Sequence, residues 1–206
     1  MSEEFPIVAV TGSSGGGSTL LIKSFQHIFW RERVKAAFIQ GNAFHRYNRH
    51  EMPLEVDKAR AKGEHLSHFS PRANHLDKLD SLFFQYSEVG TGVYRHYLHT
   101  EQAAERFAQE PGTFTPWEEM DPDTDLLLYR GLHGAAIDGD IDIAQYPDLL
   151  IGVVPIVNLE WKRRMHRDLT TRNKTREEVQ ESILERMHDS VHHITPQCSR
   201  THINFQ

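Results

Sequence analysis

The segment Gly12–Thr19 has the residue types and spacing of a loop that could bind phosphate. It follows one apolar run and precedes another that could begin a helix. In a loop of the form G-x-x-x-x-G-K-[ST], backbone N–H groups surround the phosphates and the following helix points its N-terminus at them. Gly12 and Gly17 hold the two glycine positions, and Thr19 holds the position of the hydroxyl that binds Mg²⁺. Because Ser18 stands where the lysine is expected, a glycine-rich turn that binds nothing is the alternative interpretation.

Two clusters of basic residues could bind a second anionic group. The first lies just past the end of a predicted strand. The second has the spacing i, i+1 and i+4, which places its members on or beside one helix face. Such groups donate strong hydrogen bonds to phosphate oxygens. An ordinary solvated helix face is the alternative interpretation of each cluster. The clusters are His45, Arg46 and Arg49, and Arg163, Arg164 and Arg167.

The elements that would position these residues follow from the pattern of apolar residues. Apolar runs without alternation predict strands that are covered on both faces, and stretches with helical spacing lie between them. This order predicts one α/β domain over residues 1–206, with a mostly parallel sheet and helices on both faces. The predicted strands are Ile7–Thr11, Val34–Ile39, Asp125–Tyr129 and Leu149–Pro155, the predicted helices are Leu20–Arg33, Asn74–Tyr86, Leu159–Leu169 and Arg176–His193, and Thr91–Pro122 is a predicted loop insertion. The last helix opens with a capping box, Thr175 and Glu178.

The composition excludes several classes of protein. The chain has 206 residues, of which 38% are hydrophobic and 25% charged, so we expect a soluble globular domain. Its net charge of −6 argues against non-specific binding of nucleic acid. One cysteine, Cys198, excludes an internal disulfide framework, and we find neither a signal peptide nor an apolar run that could span a membrane, so we expect a cytoplasmic protein. The 14 histidines lack the spacing of a zinc site. Among them we assign His50, His65, His75, His192 and His193 to the surface or to loops.

Several longer motifs resemble those of the bacterial-type phosphoribulokinase family. They occur in the same order as in that family and at about the same spacing, over essentially the whole chain. They are "GNAFHRYNRHEM", "SHFSPRANHLDKL", "YLHT", "PGTFTPW", "YRGLHG", "IGVVPIVNLEWKRRMHRD" and "ITPQCSRTHINFQ". That family also has a hydroxyl residue at the lysine position of the loop. The resemblance implies a fold like that of the P-loop nucleoside monophosphate kinases. It implies a homo-oligomeric, cytoplasmic enzyme of the Calvin cycle that transfers the γ-phosphoryl of ATP, with Mg²⁺, to the 1-hydroxyl of ribulose 5-phosphate.

The resemblance also assigns roles to individual residues. Its ATP loop corresponds to Gly12, Ser13, Ser14, Gly15, Gly16, Gly17, Ser18 and Thr19. Its sugar-phosphate site corresponds to His45, Arg49, Tyr97, His99 and Arg167, together with Arg172 on a mobile lid. The groups near the transferring phosphoryl correspond to Arg164 and Asp168, and the metal ligands to Thr19 and Asp168. The family's NADH effector site corresponds to Arg31 and Arg186, but the adjacent arginine pair of the family reads Glu185–Arg186 here, which leaves the NADH response in doubt.

Three departures from the family pattern affect the expected activity. The family has an aspartate general base where this chain has Asn42, and an amide cannot accept a proton near neutral pH. The family has a glutamate near the metal where this chain has Arg130, which could turn outward or could pair with the ATP phosphates. The chain also stops at Gln206, before strands and helices that family members have, so we expect a truncated sheet with an exposed edge.

These features leave three hypotheses for function. The first is an ATP-dependent phosphoribulokinase whose turnover is impaired by Asn42 and Arg130. The second is a non-catalytic relative that binds a nucleotide or a sugar phosphate in a regulatory or assembly role. The third is a truncated product without a stable fold. Binding of Mg-ATP distinguishes the third hypothesis from the others, and turnover with ribulose 5-phosphate distinguishes the first from the second.

Overall fold

The computed structural model describes residues 4–13, 16–154, 157–171 and 175–205. Its strands are β1 (Ile7–Gly12), β2 (Ala36–Gln40), β3 (Val93–Tyr94), β4 (Glu118–Glu119), β5 (Leu126–Gly131), β6 (Ile137–Asp138), β7 (Ile141–Asp142), β8 (Leu149–Val153) and β9 (Ile203–Phe205). Its α-helices are α1 (Ser18–Glu32), α2 (Glu51–Ala61), α3 (Leu76–Val89), α4 (Glu101–Glu105), α5 (Val157–Thr171), α6 (Arg176–Glu185) and α7 (Met187–Asp189). A π-helix, Ser190–Ile194, and a 3-10 helix, Thr195–Arg200, follow α7. Within these ranges no helix combines the length and the apolar character needed to span a bilayer.

Five strands form one parallel sheet in the order β2-β5-β1-β8-β9. Successive side chains of a strand point to opposite faces, and along β1 Ile7 and Ala9 join one apolar cluster while Val10 joins the other. β5 divides its leucines between the two clusters in the same way. The unalternating apolar runs are thus explained, because both faces of these strands are covered.

Each face of the sheet is covered by a helix with an apolar stripe. α3 contributes Leu79, Leu82 and Phe83 to the larger cluster, where their exposed fractions are 1% or less. α1 contributes Ile22 to the second cluster, and Phe25 packs against it. The predicted fold class is therefore confirmed, with a mostly parallel sheet and helices on both faces.

The parallel arrangement brings the carboxyl ends of β1, β2 and β5 to one edge of the sheet. In register, Arg130 on β5 lies between Val10 of β1 and Gln40 of β2. Gly12 ends β1 with a φ of 150°, and a β-carbon there would lie 2.5 Å from the carbonyl oxygen of Val153. Only glycine fits this close approach between β1 and β8.

Gln197 ties the segment after α7 to the ends of β1 and β5. Its side chain is 4% exposed. The amide oxygen accepts hydrogen bonds from the Thr11 hydroxyl at 3.4 Å and the Ala135 N–H at 3.1 Å. The amide nitrogen donates to the carbonyls of Leu132 at 3.0 Å and His193 at 2.7 Å. The two contacts of the amide oxygen are buried and the two of the nitrogen are partly buried, so this residue holds three segments together next to the loop.

The structure corrects several details of the predicted elements. The predicted helix Arg176–His193 ends at Glu185, and α7 and the π-helix occupy its second half, although the capping box at Thr175 is present. The predicted loop insertion Thr91–Pro122 contains the short elements β3, α4 and β4. Helix α2 was missed because it buries only Met52 and Ala59 and so shows little periodicity.

A test of the core compares two adjacent phenylalanines of α3. Phe83 is fully buried against Tyr129, whereas Phe84 is 53% exposed. We expect Phe83→Ala to lower the free energy of unfolding by about 3–5 kcal/mol, because it leaves a cavity between helix and sheet. Phe84→Ala, the matched control, should cost less than about 1 kcal/mol. Urea unfolding of both variants measures the difference, and equal costs would contradict the packing described here.

Candidate active site

The loop after β1 turns the chain directly into α1. The Gly16 N–H donates to the carbonyl of Ser13 at 3.1 Å. Gly17 has a φ of 109°, in the region that favours glycine, and forms the N-cap of α1. The N-terminal N–H groups of a helix and its dipole attract an anion. Ser14 and Gly15, two of the predicted ATP-binding residues, lie outside the described residues.

The side chain of Arg130 turns inward and contacts the two hydroxyls that begin α1. Its Nε donates to the Ser18 hydroxyl at 3.1 Å, and its Nη2 donates to the Thr19 hydroxyl at 2.9 Å. Burial lowers the pKa of the Arg130 guanidinium, and the neighbouring charge of Arg167 lowers it further. The guanidinium still carries its charge near neutral pH. A positive charge therefore stands at the hydroxyl that was predicted to bind Mg²⁺.

Helix α5 places its three arginines in different environments. Arg163 donates from Nη1 to the carbonyl of Gly16 at 3.3 Å, so it touches the loop itself. Arg164 is 5% exposed and donates to the hydroxyl of Ser182 on α6 at 3.1 Å. Arg167 donates from Nε to Asp168 at 2.8 Å. Of the predicted phosphate-site arginines, Arg164 thus also packs the two helices together.

The residues predicted to hold Mg²⁺ do not fit that ion in this arrangement. Mg²⁺ requires oxygen ligands with near-octahedral geometry. The Thr19 hydroxyl accepts a hydrogen bond from Arg130, and the Asp168 carboxylate, 3% exposed, accepts one from Arg167 and lies 3.9 Å from Arg164. A dication about 4 Å from a guanidinium is repelled by about 8 kcal/mol at an effective dielectric of 20. The donor set favours an anion over a metal ion.

The segment after β2 forms the second part of the site. Asn42 lies in a 3-10 helix, Gly41–Phe44, which starts where the strand ends. Its amide nitrogen contacts Nε2 of His99. Arg49 donates from Nη2 to the carbonyl of His99 at 2.7 Å, and its own N–H donates to the carbonyl of Gly112 at 2.9 Å. The structure therefore brings His99 together with Asn42 and Arg49, which lie 50 or more residues earlier in the sequence.

His45 is held as a neutral ring. Its Nδ1 lies 2.8 Å from the amide oxygen of Asn74, whose amide nitrogen donates to the carbonyls of His68 and Ser70. Because the Asn74 oxygen can only accept, Nδ1 of His45 must be the donor, which leaves a lone pair on Nε2. Burial lowers the pKa of His45 to about 4, although the Asn74 hydrogen bond opposes the shift. The Tyr97 ring lies beside His45, with 6.3 Å between ring centroids.

Arg95 positions the segment after β2, a role that was not predicted from the sequence. It donates to the carbonyls of Ala43 at 2.8 Å and His45 at 2.6 Å. Its guanidinium lies 3.7 Å from the ring centroid of Phe114 and 4.4 Å from that of Trp117. Burial lowers the pKa of Arg95 to about 10. The aromatic residues of "PGTFTPW" were the available signal, because cations pack on aromatic faces.

A cavity of about 840 Å³ opens beside these residues. It lies between α2, the segment after α2, and α6, and its lining includes Arg49, His68, Tyr97 and Arg186. Arg186 lies over the ring of Phe69, 5.9 Å from its centroid, on the wall that α6 forms. The volume suits a small phosphorylated molecule.

The residues assigned to the NADH effector site lie in unlike surroundings. Arg31 forms an exposed ion pair with Glu32 at the end of α1, while Arg186 lines the cavity. Glu185, which replaces one arginine of the family's pair, forms an ion pair with Arg60 at 2.6 Å. Arg172, the predicted lid residue, lies outside the described residues.

Comparison with protein families matches residues 7–206 to the Phosphoribulokinase / Uridine kinase family. The chain belongs to this family. It is 51% identical over 207 residues to the chromosomal phosphoribulokinase of Cupriavidus necator and 50% identical over 206 residues to the phosphoribulokinase of Sinorhizobium medicae. Each alignment covers all of this chain and 71% of the relative. The expected family resemblance is confirmed.

Solved structures of the family have the same fold. The phosphoribulokinase from Rhodobacter spheroides superposes with a TM-score of 0.86 at 47% identity, over all of this chain and 71% of that structure. A possible uridine kinase from Bacillus stearothermophilus superposes with a TM-score of 0.54 at 12% identity, over all of this chain and 91% of that structure, which shows only a shared fold. The P-loop kinase fold inferred from the motifs is therefore confirmed.

A histidine of "YRGLHG" provides a test of site electrostatics by pH. His133 is 4% exposed, and neither ring nitrogen has a hydrogen-bond partner among the described residues. Burial is the main cause that lowers its pKa to about 3, and repulsion from the His45 and His193 rings, when these carry protons, contributes to the lowering. The unfolded chain takes up this proton below about pH 6.5 and the native chain does not, so stability is present above pH 6.5 and is lost as pH falls towards 3.

We therefore expect His133→Leu to flatten the pH dependence of unfolding. Between pH 7 and pH 5 the native histidine should account for about 2 kcal/mol of the loss in stability. Urea unfolding of the original chain and of His133→Leu at both pH values measures that difference. His50→Leu, at an exposed histidine, controls for the loss of an imidazole. Parallel pH profiles for the chain and His133→Leu would show that the pKa of His133 is the same in the native and unfolded states, and so is not lowered by burial.

Proposed function

We propose that this chain binds ATP on the loop after β1 and ribulose 5-phosphate beside the segment after β2. Transfer of the γ-phosphoryl to the 1-hydroxyl would give ribulose 1,5-bisphosphate, the Calvin-cycle reaction of the family that the motifs resemble. The observation that carries this proposal is the match to named phosphoribulokinases at about 50% identity, over all of this chain and 71% of each relative. The carboxyl ends of neighbouring parallel strands support it, because they bring the two groups of residues to one edge of the sheet.

The sugar-phosphate group would lie against Arg49 at the cavity. This side chain is exposed, and its backbone N–H is fixed on Gly112. One guanidinium nitrogen contacts the carbonyl of His99, and a guanidinium has five N–H donors. The neutral His45 presents a lone pair at Nε2, so it would accept a hydrogen bond from a sugar hydroxyl. Tyr97, beside it, would add a phenolic donor.

We propose that turnover is slow because the proton acceptor is missing. Asn42 has the shape of the family's aspartate and a defined orientation against His99, but its amide cannot take the proton of the attacking hydroxyl. A positioned base contributes roughly 10²–10⁴ to the rate. Binding and orientation of the substrates do not need that base, so they would be retained. Phosphoryl transfer depends strongly on such positioning, which leaves a basis for residual activity.

The position of Arg130 favours a second candidate function, a non-catalytic protein that binds a nucleotide and a sugar phosphate. The guanidinium contacts both hydroxyls at the start of α1, where the family reaction needs a metal ion. Such a protein would have a regulatory or assembly role. A homo-oligomeric state like that of the family remains a prediction, and an NADH response is not part of the proposal because Glu185 is paired with Arg60.

Substitution of Arg49 tests the sugar-phosphate site. We expect Arg49→Ala to weaken the binding of ribulose 5-phosphate by about 1.5–3 kcal/mol, the scale of a hydrogen bond to a charged group. Arg31→Ala removes an exposed arginine at the far end of α1 and should leave binding unchanged. Isothermal titration calorimetry measures both. Equal affinity for the chain and for Arg49→Ala would make Arg49 an ordinary surface residue.

Repair of the two departures tests the slow turnover. Asn42→Asp returns the base, and Arg130→Glu removes the cation and returns a carboxylate. We expect the double variant to form ribulose 1,5-bisphosphate at least about 10² times faster than the original chain, measured at saturating Mg-ATP. The effects of the single variants should not add, since both sites serve one transition state.

Two results would contradict this account of the departures. Turnover of the original chain at the roughly 1–100 s⁻¹ typical of kinases would show that both substitutions are harmless. A double variant that is folded, binds both substrates and stays inactive would show that neither substitution limits the rate. Circular dichroism and calorimetry on the same preparations establish folding and binding.

A further inference from the structure

Arg130 lies on β5, and its side chain contacts the start of α1 in a defined orientation. It is the fifth residue of β5, and its neighbours in register are Val10 on β1 and Gln40 on β2, so its backbone is fixed from both sides. From there the half-buried side chain reaches Ser18 at 3.1 Å and Thr19 at 2.9 Å through two different nitrogens. Two donors on two acceptors define the plane of the guanidinium. The remaining N–H groups have the fork geometry that matches phosphate oxygens.

The charges around this guanidinium are mostly positive. Arg163 touches the loop through the Gly16 carbonyl, and Arg167 is close enough to lower the pKa of Arg130. The carboxylate of Asp168 lies beside these arginines, but it is buried and accepts a hydrogen bond from Arg167 at 2.8 Å. The loop therefore faces several arginines, and the carboxylate beside them is already neutralised. Such surroundings attract a polyphosphate and repel a divalent cation.

We propose that Arg130 takes over the charge of the metal ion, so that the loop binds a nucleoside triphosphate without Mg²⁺ in preference to its Mg²⁺ complex. This inference rests on the proposed ATP site. An arginine in this place pairs with phosphate oxygens directly, whereas Mg²⁺ covers the same oxygens and adds two positive charges next to Arg130. Mg²⁺ thus competes with the protein for the nucleotide. Arg130 determines which ionic form of the nucleotide is bound.

The experiment measures ATP binding to the full chain by calorimetry, once with EDTA and once with Mg²⁺ in excess over ATP. We expect the dissociation constant in EDTA to be at least about fivefold lower than with Mg²⁺. Tripolyphosphate, which lacks the base and ribose, should show the same preference, because the preference arises at the phosphates. In the variant Arg130→Glu the order should reverse, with tighter binding in Mg²⁺.

Two further variants separate this effect from general changes in charge or folding. Arg130→Met removes the guanidinium without adding an acid, and it should lose the preference for metal-free ATP without gaining the opposite one. Arg31→Glu makes the same change of charge as Arg130→Glu at an exposed position on α1, and it should keep the preference of the original chain. Circular dichroism checks that each variant is folded. If Arg130→Glu does not fold, Arg130→Met still decides the question.

The possible failures can be told apart. A folded chain that binds ATP in neither buffer would overturn both the proposed ATP site and the role of Arg130. A chain that binds ATP only with Mg²⁺ would overturn the role of Arg130 and leave the ATP site standing. Retention of the metal-free preference in Arg130→Met would also overturn it, because the preference would then come from Arg163 or Arg167.

Discussion

The close approach of β1 to its neighbours is the constraint on which the site depends. β1 pairs in parallel with β5 on one side and β8 on the other, and Ile7, Ala9 and Val10 are fully buried. At its end, Gly12 passes so near the Val153 carbonyl that no side chain fits. The loop that follows therefore starts from a fixed point. The position of this point therefore determines where Arg130 and Arg163 can contact the loop.

Hydrogen bonds to backbone carbonyls position the segment after β2. Arg95 holds the carbonyls of Ala43 and His45, and Asn74 fixes the His45 ring. Both arrangements provide hydrogen-bond partners for polar groups that would otherwise be buried without them. They therefore stabilise the fold and also position the residues of the predicted site. Arg49, by contrast, is exposed and contacts the His99 carbonyl. Rigid supports thus surround a residue that is open to a ligand.

The sequence predicted the framework better than the contacts. Strands buried on both faces leave long apolar runs, and β1, β5 and β8 were found in this way. Helix α2 and strand β9 were missed because one buries little and the other has three residues. The motifs predicted Asn42, Arg49 and His99 as site residues, and the structure brings them together. The direction of the Arg130 side chain, by contrast, depends on Ser18 and Thr19, which lie more than 110 residues earlier. Such long-range geometry cannot be read from a local pattern.

The buried amide of Gln197, in the segment after α7, has a single favourable orientation. Its oxygen faces two donors, Thr11 and Ala135, and its nitrogen faces two carbonyls. Rotation of the amide by 180° would set like partners against each other at the Ala135 N–H and at both carbonyls, whereas the Thr11 hydroxyl could turn to accept. A glutamate of equal size would place a lone pair against each carbonyl. The side chain therefore links a helical segment to the end of β1 in only one orientation of its amide. A single change of atom type here, from nitrogen to oxygen, would replace two hydrogen bonds with repulsion and weaken the support of the end of β1, without altering any residue of the predicted site.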